Sequence, residues 1–262
     1  MRSSNPALGE NVFRNFEEYG DTSTMTVTGT ATKTLIALLL AFLTAGYVWF
    51  KFQATGAMKM PPNPAAMQAG AQAIMPWMIG GLVLGLVLSL VTMFKPVWAG
   101  YTTPAYALAE GCFLGGISAI VQAQFPGEPI VFQALGLTFG TAFVMMVLYQ
   151  TGMIKVTEKL RSGIMAATGA IALVYLISMG LRLFGMQMPF IHEATPIGIG
   201  FSVFVVGLAA FNLLLDFDLI DRMSAQRAPK HMEWYGAFAL MVTLVWLYIE
   251  ILRLLSKLNR RR

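Results

Sequence analysis

Two carboxylates stand in stretches that otherwise read as lipid-soluble. Asp216 closes the run Phe211-Asn212-Leu213-Leu214-Leu215, and Glu250 lies within Leu247-Tyr248-Ile249-Glu250-Ile251-Leu252-Arg253. An acidic side chain at membrane depth is costly, so it faces a partner, water or an ion. Asn212 stands one turn before Asp216 and shares its helix face. Each acid also has a plainer reading. Asp216 sits at the headgroups if its helix ends at Leu215, and Glu250 can pair locally with Arg253 three residues on, the pair snorkelling outward. Glu110, in Tyr106-Ala107-Leu108-Ala109-Glu110-Gly111, is a third intramembrane acid. It either lines the same path or pairs with Lys95 or Arg182. Asp218 and Asp221 read as a solvated helix end, with Asp218 four residues before Arg222.

The chain that must position these groups is 56% hydrophobic and 12% charged, with a mean hydropathy of +0.65. Soluble domains carry roughly 25% charged residues, so the composition specifies an integral membrane protein. The single cysteine, Cys112, excludes an internal disulfide and a cysteine metal cage. No signal peptide is visible, and the first apolar run follows a polar lead with no small-residue cleavage site.

Seven apolar runs follow in order: 35–50, 74–94, 104–121, 130–151, 164–183, 196–217 and 234–255. Gly80, Gly81 and Gly85 in the second, with Gly111, Gly115 and Gly116 in the third, mark close-packing faces. The division expected is a polar N-terminal arm at 1–33, a seven-helix domain at 34–257 and a basic tail at 258–262. Asn15–Tyr19 reads as a short interfacial helix in that arm, with Phe13 and Phe16 touching the bilayer. With the N-terminus inside, the inner segments hold Arg2, Arg14, Lys33, Lys95, Lys155, Lys159, Arg161, Arg222, Arg227 and Lys230. The outer loops hold Lys51, Lys59 and Arg182, a positive-inside bias that places the N-terminus in the cytoplasm. The tail, with Arg253, Lys257 and Arg260 to Arg262, then lies outside after seven spans unless one segment is re-entrant.

Enzyme chemistry has little support. His192-Glu193 lacks the second helical histidine of a zinc protease. Gly116-Ile117-Ser118-Ala119 is one residue short of an intramembrane serine-protease motif, and Glu17-Glu18 lacks the arginine of the glutamate type. Met58, Lys59 and Met60, with Met67 and Met75, read as packing rather than as a copper(I) site. Asn5-Pro6-Ala7 and Asn63-Pro64-Ala65 copy a water-channel tripeptide but lie in polar segments. No cofactor, no nucleotide loop and no nucleic-acid surface is indicated. The partners expected are the lipid bilayer, ions and other membrane proteins.

Leu-Leu-Asp-Phe-Asp-Leu-Ile at 214–220 and Leu-Tyr-Ile-Glu-Ile-Leu-Arg-Leu-Leu at 247–255 resemble the Bax-inhibitor-motif (TMBIM, YccA-like) family of membrane proteins. The opening Arg2-Ser3-Ser4-Asn5-Pro6-Ala7-Leu8 and Met25-Thr26-Val27-Thr28-Gly29-Thr30 resemble its bacterial branch, which implies a bacterial inner membrane. The resemblance implies an all-α seven-helix fold with the last helix central, wrapped by the other six. It also implies a pH-sensitive calcium leak through two acids, matched here by Asp216 and Glu250 as calcium ligands and pH sensors. Glu250 stands where the family usually has aspartate, and nearly three helical turns of extra sequence separate the two acids.

On that reading the two carboxylates share one proton, which latches helix six to helix seven, because both cannot ionise cheaply in a poorly hydrated site. Loss of the proton brings repulsion and frees hard oxygen ligands for calcium. The pair meets provided the extra residues form loop. Two alternatives use the same sequence: a non-transporting adaptor of membrane proteases or of a stress response, working through the N-terminal arm, and a proton-coupled transporter of a small solute.

Overall fold

Seven helices, α1 Val27–Ala54, α2 Pro64–Phe94, α3 Ala99–Gln124, α4 Ile130–Gln150, α5 Glu158–Leu183, α6 Pro196–Ala225 and α7 Met232–Asn259, account for the computed structural model, which describes residues 24–59, 63–185 and 193–261. Each is long and apolar enough to cross a bilayer. The protein is therefore an all-α, multi-pass integral membrane protein. The last helix has the largest buried share of the seven, 56% of its apolar window against 17% for α2 and α5. The short helix expected at Asn15–Tyr19, Glu17-Glu18, the first tripeptide copy and His192 lie outside the described residues.

Most helices run further than their apolar runs. The threonine-rich stretch expected as arm becomes the start of α1, because its hydroxyls bond within the helix. Thr26 caps it, accepting from the Gly29 N–H at 2.9 Å, while Thr30, Thr32 and Thr34 donate to carbonyls one turn back. Asn63-Pro64, expected as loop, is an N-cap followed by proline at the first helical position, and it opens α2. The extension that matters most is at α6, which continues two turns beyond Phe217 to Ala225. Asp218 and Arg222 support it as an i,i+4 pair with an O···N distance of 3.0 Å. The helix stops where Arg227 turns into the left-handed region at φ 55° and the Ala228 N–H closes back on Met223 O at 3.0 Å. Only residues 226–231 remain as the loop to α7.

Among the described residues, one compact unit falls within Phe13–Val131 and Met223–Met241, and the other within Phe132–Arg222 and Val242–Arg262. In the first, backbones meet through glycine. A Cβ at Gly111 would fall 2.2 Å from Ala41 O, one at Gly115 would fall 2.4 Å from Ala45 O, and one at Gly81 would fall 2.5 Å from Ala109 O. Any side chain there would force α1 or α2 away from α3. Gly80 meets open space and so does not belong to that face. Beneath the contacts, Val48, Phe52, Ile74 and Ala119 form a core with Ala57 and Ala123.

The same unit holds a buried carboxylate that lay in the expected loop. Glu233, in the first turn of α7 and 1% exposed, accepts from the Thr26 N–H at 2.9 Å and from the Thr26 hydroxyl at 3.0 Å. Lys33 pairs with it, as does Lys230 at 2.7 Å. The carboxylate thus caps the positive N-terminal end of α1. Next to it the Met25 N–H donates to Ala228 O at 2.8 Å, tying the approach to α1 to the loop before α7. Gly29 leaves the carboxylate its room, since a Cβ there would lie 2.1 Å from Glu233 Oε1.

In the other unit, Ile164, Ile171, Val205, Leu208 and Leu215 form the core, with Tyr175, Phe201 and Trp246 packed around it. Gly29→Ala and Gly115→Ala are each expected to lower stability by on the order of 1–3 kcal/mol through overpacking. Gly136→Ala, in open space, is expected to be neutral or to gain up to about 1 kcal/mol of helix propensity. Thermal unfolding of the detergent-solubilised chain checks all three.

Candidate functional site

Asp216 is buried at 1% exposure on α6. Its Oδ2 accepts the hydroxyl of Thr243 on α7 at 2.5 Å, a short O–H···O bond. It stands within the helix rather than at its end, because α6 continues past Leu215 to Ala225. Asn212, one turn earlier on the same face, donates from Nδ2 to Thr168 Oγ1 on α5 and to Leu208 O, both at 2.9 Å. The face carrying Asn212 and Asp216 is therefore tied to α5 by one polar residue and to α7 by the next.

Glu250 is equally buried, at 1%, and is held elsewhere. Arg253 Nη1 donates to both of its oxygens, at 3.0 and 3.1 Å. The Tyr175 hydroxyl on α5 donates to Oε1 at 2.9 Å and accepts from the same Arg253 nitrogen at 2.7 Å. The guanidinium also lies 5.0 Å from the Tyr175 ring centroid. Acid, base and phenol form a closed triad in which the local Glu250–Arg253 pairing is realised with the acid buried.

Asp216 and Glu250 do not form the expected shared-proton pair. Asp216 lies nine residues before the end of α6, and Thr243 and Glu250 lie eleven and eighteen residues into α7. At 1.5 Å per residue these are about 14, 16 and 27 Å from the short connecting loop. Asp216 is level with Thr243, and Glu250 is two turns too far along. The sequence between the acids is mostly helix, with only residues 226–231 as loop, and this puts Glu250 out of register with Asp216. One calcium ion cannot take both carboxylates at ligand distance, and the described residues contain no cluster of three or more acids, histidines or cysteines fit to hold a metal.

Glu110 belongs to the other unit. Its carboxyl faces Gly85 of α2, where a Cβ would lie 3.2 Å from Oε1. Tyr106 contributes a side-chain hydrogen bond to it, while the buried Oε2 has no hydrogen-bond partner among the described residues. Lys95, one expected partner, lies instead 4.6 Å from the Trp98 ring centroid.

Charged groups flank the Asp216 level on its loop side. Asp218, expected as a solvated helix end, is 9% exposed and accepts from Arg161 of α5 at 2.6 Å as well as from Arg222. Asp221 accepts the Tyr149 hydroxyl at 2.8 Å. At the far end of α7, Lys257 is 3% exposed rather than free in the tail. Its ammonium donates to Gly198 O and Ser202 Oγ, both at 2.9 Å, near the start of α6.

Thr243, Tyr175 and Lys257 were not singled out from sequence. Thr243 had one signal, its place two turns before Glu250 on the same helix. Tyr175 and Lys257 had none, since an aromatic in an apolar span and a lysine near a basic terminus are ordinary.

The chain belongs to the Bax inhibitor 1 like family, whose model matches residues 5–260. Comparisons with curated proteins and with solved structures return no match.

Arg253→Met leaves Glu250 buried with a phenol alone. The expected loss is on the order of 2–3 kcal/mol, below that of a fully buried pair because the Arg253 side chain is 31% exposed. Adding Glu250→Gln to Arg253→Met is expected to restore part of it. Chemical denaturation in mild detergent measures both, and equal stability of the single and double variants would contradict the pairing.

Proposed function

We propose that the protein is a pH-sensitive calcium leak channel in which Asp216, latched to Thr243, is the proton-responsive gate. The observation that carries this reading is a buried acid that accepts a short hydrogen bond from a hydroxyl of the facing helix. Family membership supports the channel class. The two-acid latch is replaced by an acid–hydroxyl latch, with Glu250 in a positioning role.

With the proton on, Asp216 is neutral, its contact with Thr243 holds α6 against α7, and no charge stands at that depth to draw in a cation. With the proton off, a bare carboxylate in an apolar helix pair is costly. Water and a hard cation relieve that cost by supplying dipoles and opposite charge. Calcium accepts a carboxylate, a hydroxyl and amide oxygens as ligands, and Asp216, Thr243 and Asn212 offer these. Protons and calcium then compete for the same oxygens, so flux rises with pH. Glu250, neutralised by Arg253, fixes the part of α7 beyond the gate against α5. With the N-terminus cytoplasmic, as the basic residues favour, Asp216 lies toward the cytoplasmic face and Glu250 toward the opposite one.

Calcium flux into proteoliposomes, followed from about pH 6 to about pH 8, tests the gate. Asp216→Asn is expected to flatten the pH dependence. Glu250→Gln is expected to change the level of flux while the pH dependence remains. Wild-type pH dependence in Asp216→Asn would sink the gate. Loss of function on deleting residues 1–23, with both acid variants normal, would favour the adaptor reading instead.

A further inference from the structure

Between α5 and α6 runs an open groove of about 430 Å³ that no helix of its unit fills. Its lining is almost wholly apolar, with Gly163 on one wall, Phe204, Gly207 and Phe211 on the other, and Lys159 at one end. The span from Phe204 to Phe211 and the span from Lys159 to Ala167 are each about 10–12 Å of helix, so the groove is long and narrow. Phe204 is 58% exposed and Phe211 39%.

The two glycines differ from those of α3. A Cβ at Gly163 or at Gly207 would meet nothing within 4 Å, so neither permits a helix–helix approach. Each costs its helix up to about 1 kcal/mol relative to alanine. Their effect is to deepen the groove.

The charge at its end is also distinctive. Glu158 is engaged by Arg161 at 3.2 Å, and Asp218 by Arg161 and Arg222. The exposed Lys159 makes no ion pair among the described residues. An unneutralised lysine at the end of an apolar channel between two spans is complementary to one amphiphile in particular.

We infer that this groove is a phospholipid site, holding one acyl chain of an anionic lipid along Gly163, Phe204 and Gly207 with the headgroup phosphate at Lys159. Bilayer lipid is the occupant because the groove, with Phe204 and Phe211 exposed at it, runs between two helices long and apolar enough to cross a bilayer. Basic residues at the membrane surface attract anionic headgroups, and the apolar walls take the chain.

The full-length protein in nanodiscs is labelled with phosphatidylglycerol or phosphatidylcholine carrying a photoactivatable group in the acyl chain, and the adducts are mapped by peptide mass spectrometry. Phosphatidylglycerol adducts are expected to concentrate on the groove segments of α5 and α6. Gly207→Leu and Gly163→Leu, each filling open space, are expected to reduce them about ten-fold while labelling elsewhere is unchanged. Lys159→Gln is expected to bring phosphatidylglycerol labelling down to the phosphatidylcholine level. Even labelling over all spans, equal labelling by the two lipids in the wild type, or undiminished labelling in both leucine variants would overturn the site.

Discussion

A carboxylate buried between apolar helices has to be met by a donor at its own depth, and for Asp216 that donor is Thr243. Depth is fixed by helix length. Because α6 runs on to Ala225 and the loop has only residues 226–231, the helices leave their loop with little slack, and the residue level with Asp216 is settled by counting turns. A longer loop with shorter helices would have offered Asp216 a different partner. The functional reading follows from that register, since it makes the proton-responsive group an acid facing a hydroxyl rather than an acid facing an acid.

The last helix carries other buried charges, and each is matched where it stands. Glu233 at its start is met by Lys33, Lys230 and Thr26. Glu250 is met by Arg253 and Tyr175, and Lys257 near its end by a carbonyl and a hydroxyl. Buried ion pairs add little net stability over apolar packing, but removing one partner is expensive. Such contacts therefore disfavour any rotation or slip of α7 that would leave a charge unpaired. Asp216, on α6, is met by the Thr243 hydroxyl of α7, and that contact ties the two helices together at one level.

Much of this was legible in the sequence. Apolar runs with polar breaks placed all seven helices, and the cost of an acid at membrane depth singled out Asp216 and Glu250, both of them buried. The i+3 spacing exposed the Glu250–Arg253 pair. What could not be read were helix ends in polar sequence. Threonine hydroxyls satisfied inside α1, the cap at Asn63-Pro64 and the Asp218–Arg222 pair each carried a helix past its apolar run, and hydropathy is blind to all three. The misplaced partner of Asp216 is a direct consequence, because the eight further residues of α6 beyond Phe217 shift the register by about two turns. Glu233 and Lys257 were hidden for a related reason: their burial depends on partners roughly 60 to 200 residues away in the chain, which no local pattern encodes.

The most direct measurement is a double-mutant cycle on the pH dependence of calcium flux, comparing Asp216→Asn with Thr243→Val and Asp216→Asn with Glu250→Gln. An acid–hydroxyl gate predicts that Thr243→Val has no further effect on pH dependence once Asp216 is asparagine, while the Glu250→Gln effect adds independently. Strong coupling between Asp216 and Glu250, with additivity between Asp216 and Thr243, would contradict the gate assigned to this helix pair.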